Sequence, residues 1–125
     1  MSGYDPDHAP SPEKWLALDE DERIDLVIRY HRRARVLLPN ARIHAVFHVV
    51  VETQAAMGGE IRVRQTLERL QAEGLSRHDA VHAVGSVLMK HMQGQLAVGH
   101  PAGDPNAAYW AELAELTADG WRLSR

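Results

Sequence analysis

Residues 41–57, ARIHAVFHVVVETQAAM, are the stretch of sequence that decides the fold. If these residues form a helix, its surface is apolar nearly all round, which is typical of a central, buried helix. The valines at 49–51 also suit a buried strand, and β-propensity alone would favour one. The glycines at 58–59 suit the end of a helix. The strand and helix interpretations are separated by the polar residues that interrupt the apolar run.

Three polar side chains inside this stretch recur at a fixed interval. His44, His48 and Glu52 are each four positions apart, and residues four apart stand on one face of a helix. This spacing favours a helix over a strand. Two histidines at such a spacing can direct both rings at one metal ion. The stretch therefore predicts a buried helix with a candidate metal-binding face.

Helices are predicted on both sides of this segment. Ser11 and Pro12 are typical of a helix start, and Asp19 with Glu22 predicts a capping box for a helix over about 20–36. Further apolar patterns predict a helix over about 60–73, with Val63, Leu67 and Leu70 facing inward, and one over about 77–97, which buries Val81, Val84, Leu88 and Met92. Ser76 with Asp79 predicts a capping box at the start of the latter helix. A last helix is predicted after Asp104-Pro105, and there is no β-pattern elsewhere and no internal repeat. We predict an all-α fold, namely a single-domain bundle of about five helices with a buried, histidine-rich central helix. Residues 1–11 are expected to be a flexible N-terminal arm, and residues 12–125 a single helical domain.

A second pair of histidines has the same spacing as the first. His78 and His82 lie near the start of the helix at 77–97. Because short loops favour antiparallel neighbours, this helix and the central helix should run in the same direction, with their pairs level to within roughly 3 Å. The helix at 20–36 runs the opposite way, which brings His31 to the same level. Histidines from three helices are thus predicted to converge at one end of the core.

Such a cluster suits a transition metal. Neutral imidazole binds zinc, iron, nickel and copper, and a site of four nitrogens needs no thiolate, which agrees with a chain that has no cysteine. Glu52 lies about 12 Å along the helix from His44, too far to share one ion with both histidines of that helix. We therefore predict a divalent ion, zinc or iron, with Glu52 and His31 as additional ligands or outer partners of the main ligands His44, His48, His78 and His82.

Other interpretations stay open. In one, the histidines are hydrogen-bonded core residues of a metal-free helical interaction or dimerisation module, and the chain forms a homodimer. In another, the metal activates water in a small hydrolase, with Glu52 as the candidate base. The basic run HRRAR at 31–35 raises a third, binding to nucleic acid or to an acidic partner. We favour a solvated helix end for that run because acidic residues outnumber basic ones, 17 to 14. No small-molecule substrate is indicated.

Composition and motifs narrow the classes of function. The absence of cysteine excludes a disulfide framework and a cysteine nucleophile. No apolar run approaches the ~20 residues of a membrane span, and the polar start MSGYDPDHAPSPEKW lacks the pattern of a signal peptide, so a cytoplasmic location is expected. Phosphate-loop, nucleophile-elbow and HExxH motifs are missing. Of the remaining histidines, His8, His91 and His100 are expected on the surface.

Two motifs carry a resemblance. They are H-A-x-x-H-x-x-x-E-x-Q, from His44 to Gln54, and R-H-D-A-x-H-A-x-G, from Arg77 to Gly85. Together with the tryptophan-bearing start before D-E-R-I, they make the chain resemble an uncharacterised bacterial family of short all-α proteins, a domain of unknown function, over most of its length after residue 12. The resemblance implies a compact helical protein. It implies no activity and no catalytic residues.

Overall fold

Seven helices, and no strand, make up the part of the chain that the computed structural model describes, residues 3–34, 40–58, 62–98 and 107–124, with the backbone alone at 93–98 and 124. The helices are α1 (Pro12–Ala17), α2 (Glu20–Arg33), α3 (Ala41–Met57), α4 (Val63–Ala72), α5 (Arg77–Val98), α6 (Ala107–Glu115) and α7 (Ala118–Ser124). The all-α prediction is confirmed, and the valines at 49–51 are helical. The predicted count of about five helices was too low.

Local capping explains where several helices begin. Asp19 and Glu22 form the predicted capping box at the start of α2, with the Glu22 amide donating to Asp19 Oδ1 over 2.8 Å. Thr117 Oγ1 accepts the amide of Gly120 over 2.9 Å, which gives α7 a start of its own. The last predicted helix is therefore two helices. The predicted end of the second helix near 36 lies outside the described residues.

Contacts divide the chain into two compact units, Met1–Arg64 and Gln65–Arg125. In the first unit, α3 packs against α1 and α2. Its buried hydrophobic core consists of Tyr4, Trp15, Ile24, Leu26, Val27, Ala45 and Val49. Within this unit, α3 therefore has the central position that was predicted for it. That residues 12–125 form one domain stays a prediction.

Hydrogen bonds to Thr53 fix α1 and α2 on the C-terminal part of α3. Thr53 Oγ1 accepts the indole N–H of Trp15 over 3.1 Å and an Nη1–H of Arg23 over 3.3 Å. Arg23 also donates to the carbonyls of Trp15 and Leu16, over 3.0 and 3.1 Å, which satisfies the end of α1. Because Arg23 is near the start of α2 and Thr53 near the end of α3, the two helices run antiparallel, as predicted.

The second unit contains α4 from Gln65 onward and all of α5 to α7, with α5 packed against α6. The predicted inward residues of α4 are fully buried, and so are Val81 and Val84 of α5. Met92 was predicted to be buried with them, but it is 46% exposed. The reason is that α6 covers the neighbouring face of α5, where His91 contacts Glu112. The apolar repeat of the sequence therefore includes Met92, although α6 covers the face of α5 beside it.

The Arg69–Glu73 ion pair at the end of α4 is hydrogen-bonded to the backbone at the junction of α6 and α7. Glu73 accepts the Ala118 amide over 2.9 Å and an Nη1–H of Arg69 over 2.7 Å. Arg69 also donates to the Leu113 carbonyl over 2.9 Å. The Ala118 amide and then Arg69 hold the pKa of Glu73 below its usual range. These contacts therefore stabilise the second unit when Glu73 is ionised.

Replacing Glu73 by glutamine should destabilise the protein at neutral pH and have less effect in acid. A carboxylate whose folded pKa is depressed stabilises the fold above its unfolded pKa, and this stabilisation is lost as the pH falls through the folded value. Urea unfolding midpoints of both proteins from pH 7 to pH 3 should converge below about pH 4. Glu68→Gln, on the exposed face of α4, is the control. A gap that stays constant over this range contradicts the assignment.

Candidate metal centre

Three histidine rings meet in the first unit, where the last turn of α2 lies beside the first turns of α3. The ring of His31 lies 4.8 Å from that of His44 and 5.0 Å from that of His48, between centroids, and the two α3 rings are 4.8 Å apart. His31 and His48 are buried, with 5% and 2% exposed, and His44 is half-buried. The antiparallel pairing of α2 and α3 produces this approach, which agrees with the prediction made from helix direction.

A backbone carbonyl determines which nitrogen of His31 carries a proton. His31 Nδ1 lies 2.8 Å from the carbonyl oxygen of Val27. Because a carbonyl only accepts hydrogen bonds, Nδ1 must be the protonated donor. The neutral ring is the form that binds a metal, and its available lone pair is then on Nε2. His31 thus offers Nε2 as a ligand atom.

A chain of two hydrogen bonds likewise determines which ring nitrogen of His48 carries the proton. The Tyr4 hydroxyl donates to Glu52 Oε2 over 2.6 Å, and its oxygen lies 3.1 Å from His48 Nδ1. A hydroxyl has one proton to donate, so the Tyr4 oxygen accepts the Nδ1–H of His48. The neutral His48 ring therefore also carries its lone pair on Nε2. Tyr4 and Glu52 are both buried, with 3% and 1% exposed.

Tyr4 is the residue of this cluster that sequence reasoning missed. It belongs to the segment 1–11 expected to be a flexible arm, yet its side chain is part of the first unit's core. No helical periodicity marks a single tyrosine in a proline-containing segment. The available signal was the buried pair His48 and Glu52, because such groups require hydrogen-bond partners. The flexibility of the arm as a whole stays a prediction.

Glu52 is linked to His48 by way of the Tyr4 hydroxyl, which is hydrogen-bonded to both residues. A buried carboxylate is unfavourable unless hydrogen bonds or a positive charge compensate it, and the Tyr4 hydroxyl is one such partner. This arrangement matches the outer-partner interpretation of Glu52 better than that of a base, because the oxygen in question is engaged by tyrosine. Its role towards a metal remains a prediction.

The second unit contains the other predicted pair. His78 and His82 occupy the first two turns of α5, are half-buried, and have ring centroids 4.3 Å apart. Ser76 Oγ accepts the Asp79 amide over 3.0 Å, which fixes the start of the helix as predicted from this capping pattern. The four-residue spacing therefore stacks the two rings on one helical face, where each offers a nitrogen.

The remaining histidines, His8 and His91 among them, differ in how much of the side chain is exposed. His8 is exposed, as predicted, with 82% of its side chain accessible. His91 was predicted to be a surface residue, but only 15% of its side chain is accessible, and its Nε2 lies 3.0 Å from Glu112. The correction follows from α6, whose Tyr109 and Glu112 cover this face of α5. His100 lies outside the described residues.

The basic run at 31–35 is divided by burial. His31 faces the core, whereas Arg32 and Arg33 are exposed in the last turn of α2. Cations at this end of a helix complement its dipole. This placement fits the solvated helix end that we favour for the run, and Arg35 lies outside the described residues.

Comparison with protein-family models, curated proteins and solved structures found no match to this chain. The family resemblance of the two histidine motifs is therefore an expectation that these comparisons do not support. Among the residues with described structure, none of the helices combines the length and apolarity needed to cross a bilayer. The geometry of the histidines is accordingly the feature that points to a function.

Proposed function

We propose that this protein binds one divalent metal ion, zinc or iron, with one ring nitrogen each from four histidines. The proposed ligands are His31, His48, His78 and His82. Compared with the sequence prediction, His31 replaces His44 among the main ligands. The exchange is supported by the His31 hydrogen bond, which leaves Nε2 as the atom with the lone pair. His44 is then a packing neighbour of His31 and His48.

The observation that carries this proposal is the matching hydrogen-bond pattern of His31 and His48. Histidines that bind metals almost always donate their other ring N–H to a carbonyl, a carboxylate or a water. His31 donates to the Val27 carbonyl, and His48 donates to the Tyr4 hydroxyl, which is itself bonded to Glu52. Both buried rings therefore have the tautomer that ligation through Nε2 requires.

The chemistry of the ligands suits zinc or iron. Four neutral imidazoles suit a tetrahedral zinc site, and imidazole also binds iron. Neutral ligands leave the charge of the ion uncompensated, and the buried carboxylate of Glu52 offsets part of it through Tyr4 and His48. A bound ion would supply a fixed positive charge, and its coordination would cross-link residues that are distant in sequence. The proposal is thus a binding function, with Glu52 in an outer role.

The proposal is tested by elemental analysis of protein purified without a histidine tag. We expect about one zinc or iron ion per chain, retained on gel filtration and removed by a strong chelator. Calorimetry on the stripped protein should then show re-binding with the same stoichiometry. A stripped protein that takes up neither metal contradicts the proposal and favours the metal-free interaction module.

A further inference from the structure

We infer that Tyr4 is a positioning residue, which holds His48 in the tautomer and orientation that present Nε2 to the metal. The inference rests on the proposed metal binding. The Tyr4 side chain contacts both His48 and Glu52, at 3.1 and 2.6 Å. Tyr4 thereby connects a carboxylate to a ligand ring, from 44 residues before His48 and 48 residues before Glu52 in the sequence.

The two hydrogen bonds have a defined direction. At 2.6 Å, the bond from Tyr4 to Glu52 has the length of a charge-assisted O–H···O⁻ bond. It commits the single hydroxyl proton to the carboxylate. The Tyr4 oxygen then has only lone pairs to offer to His48 Nδ1, so it stabilises the ring with a proton on Nδ1. A carboxylate behind the hydroxyl strengthens this preference, because neighbouring hydrogen bonds polarise each other.

The position of the hydroxyl is set by the packing of the tyrosine ring. The Tyr4 ring lies 5.7 Å from the Trp15 ring and 6.1 Å from the Tyr30 ring, between centroids, and it meets His48 edge-on at 6.0 Å. Phenylalanine keeps all of these ring contacts. Tyr4→Phe therefore removes the hydroxyl, and with it both hydrogen bonds, while the aromatic packing is retained.

Tyr4→Phe should weaken zinc binding about 10- to 100-fold, the usual effect of removing an outer hydrogen-bond partner of a ligand. Affinity is measured by competition with a chromophoric chelator. The matched control is Tyr30→Phe, which removes a hydroxyl from the same aromatic group, since the Tyr30 ring also packs against Tyr4 and His31. The control should bind zinc as the wild type does. Equal losses in both variants would show a packing effect and overturn the inference.

A second readout does not depend on metal. Long-range ¹H–¹⁵N spectra of the metal-free protein should show His48 with its proton on Nδ1 in the wild type and a shift towards the other tautomer in Tyr4→Phe. A wild-type His48 with its proton on Nε2 overturns the positioning role. If the wild type has the expected tautomer and Tyr4→Phe changes it, but neither protein binds zinc or iron, the proposed metal function fails while the hydrogen-bond chain stands.

Glu52→Gln provides a second variant should Tyr4→Phe fold poorly. Glutamine keeps an acceptor for the tyrosine but removes the negative charge, so we expect a smaller loss of zinc affinity than for Tyr4→Phe, and less than about 10-fold. Circular dichroism of the metal-free variants checks that the helices are intact. A Glu52→Gln protein with tighter zinc binding than the wild type would contradict the role of the carboxylate behind Tyr4.

Discussion

Replacing His48 and His82 together by glutamine should reduce zinc affinity by about four orders of magnitude. Four-ligand zinc sites have apparent binding free energies of about 10–16 kcal/mol, or roughly 3 kcal/mol for each ligand. Each lost ligand therefore corresponds to about a hundredfold in affinity. Glutamine approximates the size of histidine and retains polar groups, but its amide is a poor replacement for an imidazole ligand. Each single variant should lose about half of this free energy.

The same variant should abolish stabilisation by zinc. A ligand that binds only the folded state stabilises it by about 4 kcal/mol at a free concentration a thousand times Kd. The wild-type melting temperature should therefore rise on addition of zinc, and that of His48→Gln/His82→Gln should not. His8→Gln is the matched control, since it removes an exposed imidazole that is not among the proposed ligands. A double variant within tenfold of wild-type affinity would mean that these residues are not the ligands.

Trp15→Ala should destabilise the first unit by about 3–5 kcal/mol, the usual effect of removing a large aromatic side chain from a core. Trp15 is fully buried, packs against Tyr4, and donates its indole N–H to Thr53. The substitution leaves a cavity between α1 and α3 and removes that hydrogen bond. Small domains have a total stability of about 5–15 kcal/mol, so this loss is a large part of it.

Chemical denaturation of the metal-free protein measures this effect. The control is Leu16→Ala on the neighbouring residue, which is 42% exposed and should change the free energy of unfolding by less than about 1 kcal/mol. Zinc affinity of the folded fraction should also fall, because Trp15 supports the Tyr4 ring. If Trp15→Ala costs no more than Leu16→Ala, the core described for the first unit is wrong.

Local chemistry made much of the fold predictable. The capping box of Asp19 and Glu22 acts within four residues, and the burial of Leu67 and Leu70 follows from helical periodicity, so both were predicted correctly. The approach of His31 to His44 and His48 was also predictable, because it depends only on helix direction and residue rise.

What could not be predicted depends on contacts between residues far apart in sequence. Tyr4 reaches His48 and Glu52 from a segment without periodicity, and nothing local in the sequence indicates its partners. His91 and Met92 are adjacent on α5, and only the position of α6 determines which is covered. The pattern of one helix shows which residues are apolar, but the neighbouring helices decide which of them are buried.

X-ray absorption at the zinc edge of the zinc-loaded, tag-free protein tests the central claim most directly. We expect four nitrogen donors at about 2.0–2.1 Å, with the outer-shell scattering of imidazole rings. In His48→Gln/His82→Gln protein, which keeps only His31 and His78 of the proposed ligands, this imidazole signal should be clearly reduced. A wild-type spectrum that shows only oxygen donors without imidazole scattering would contradict a metal site built from these histidines.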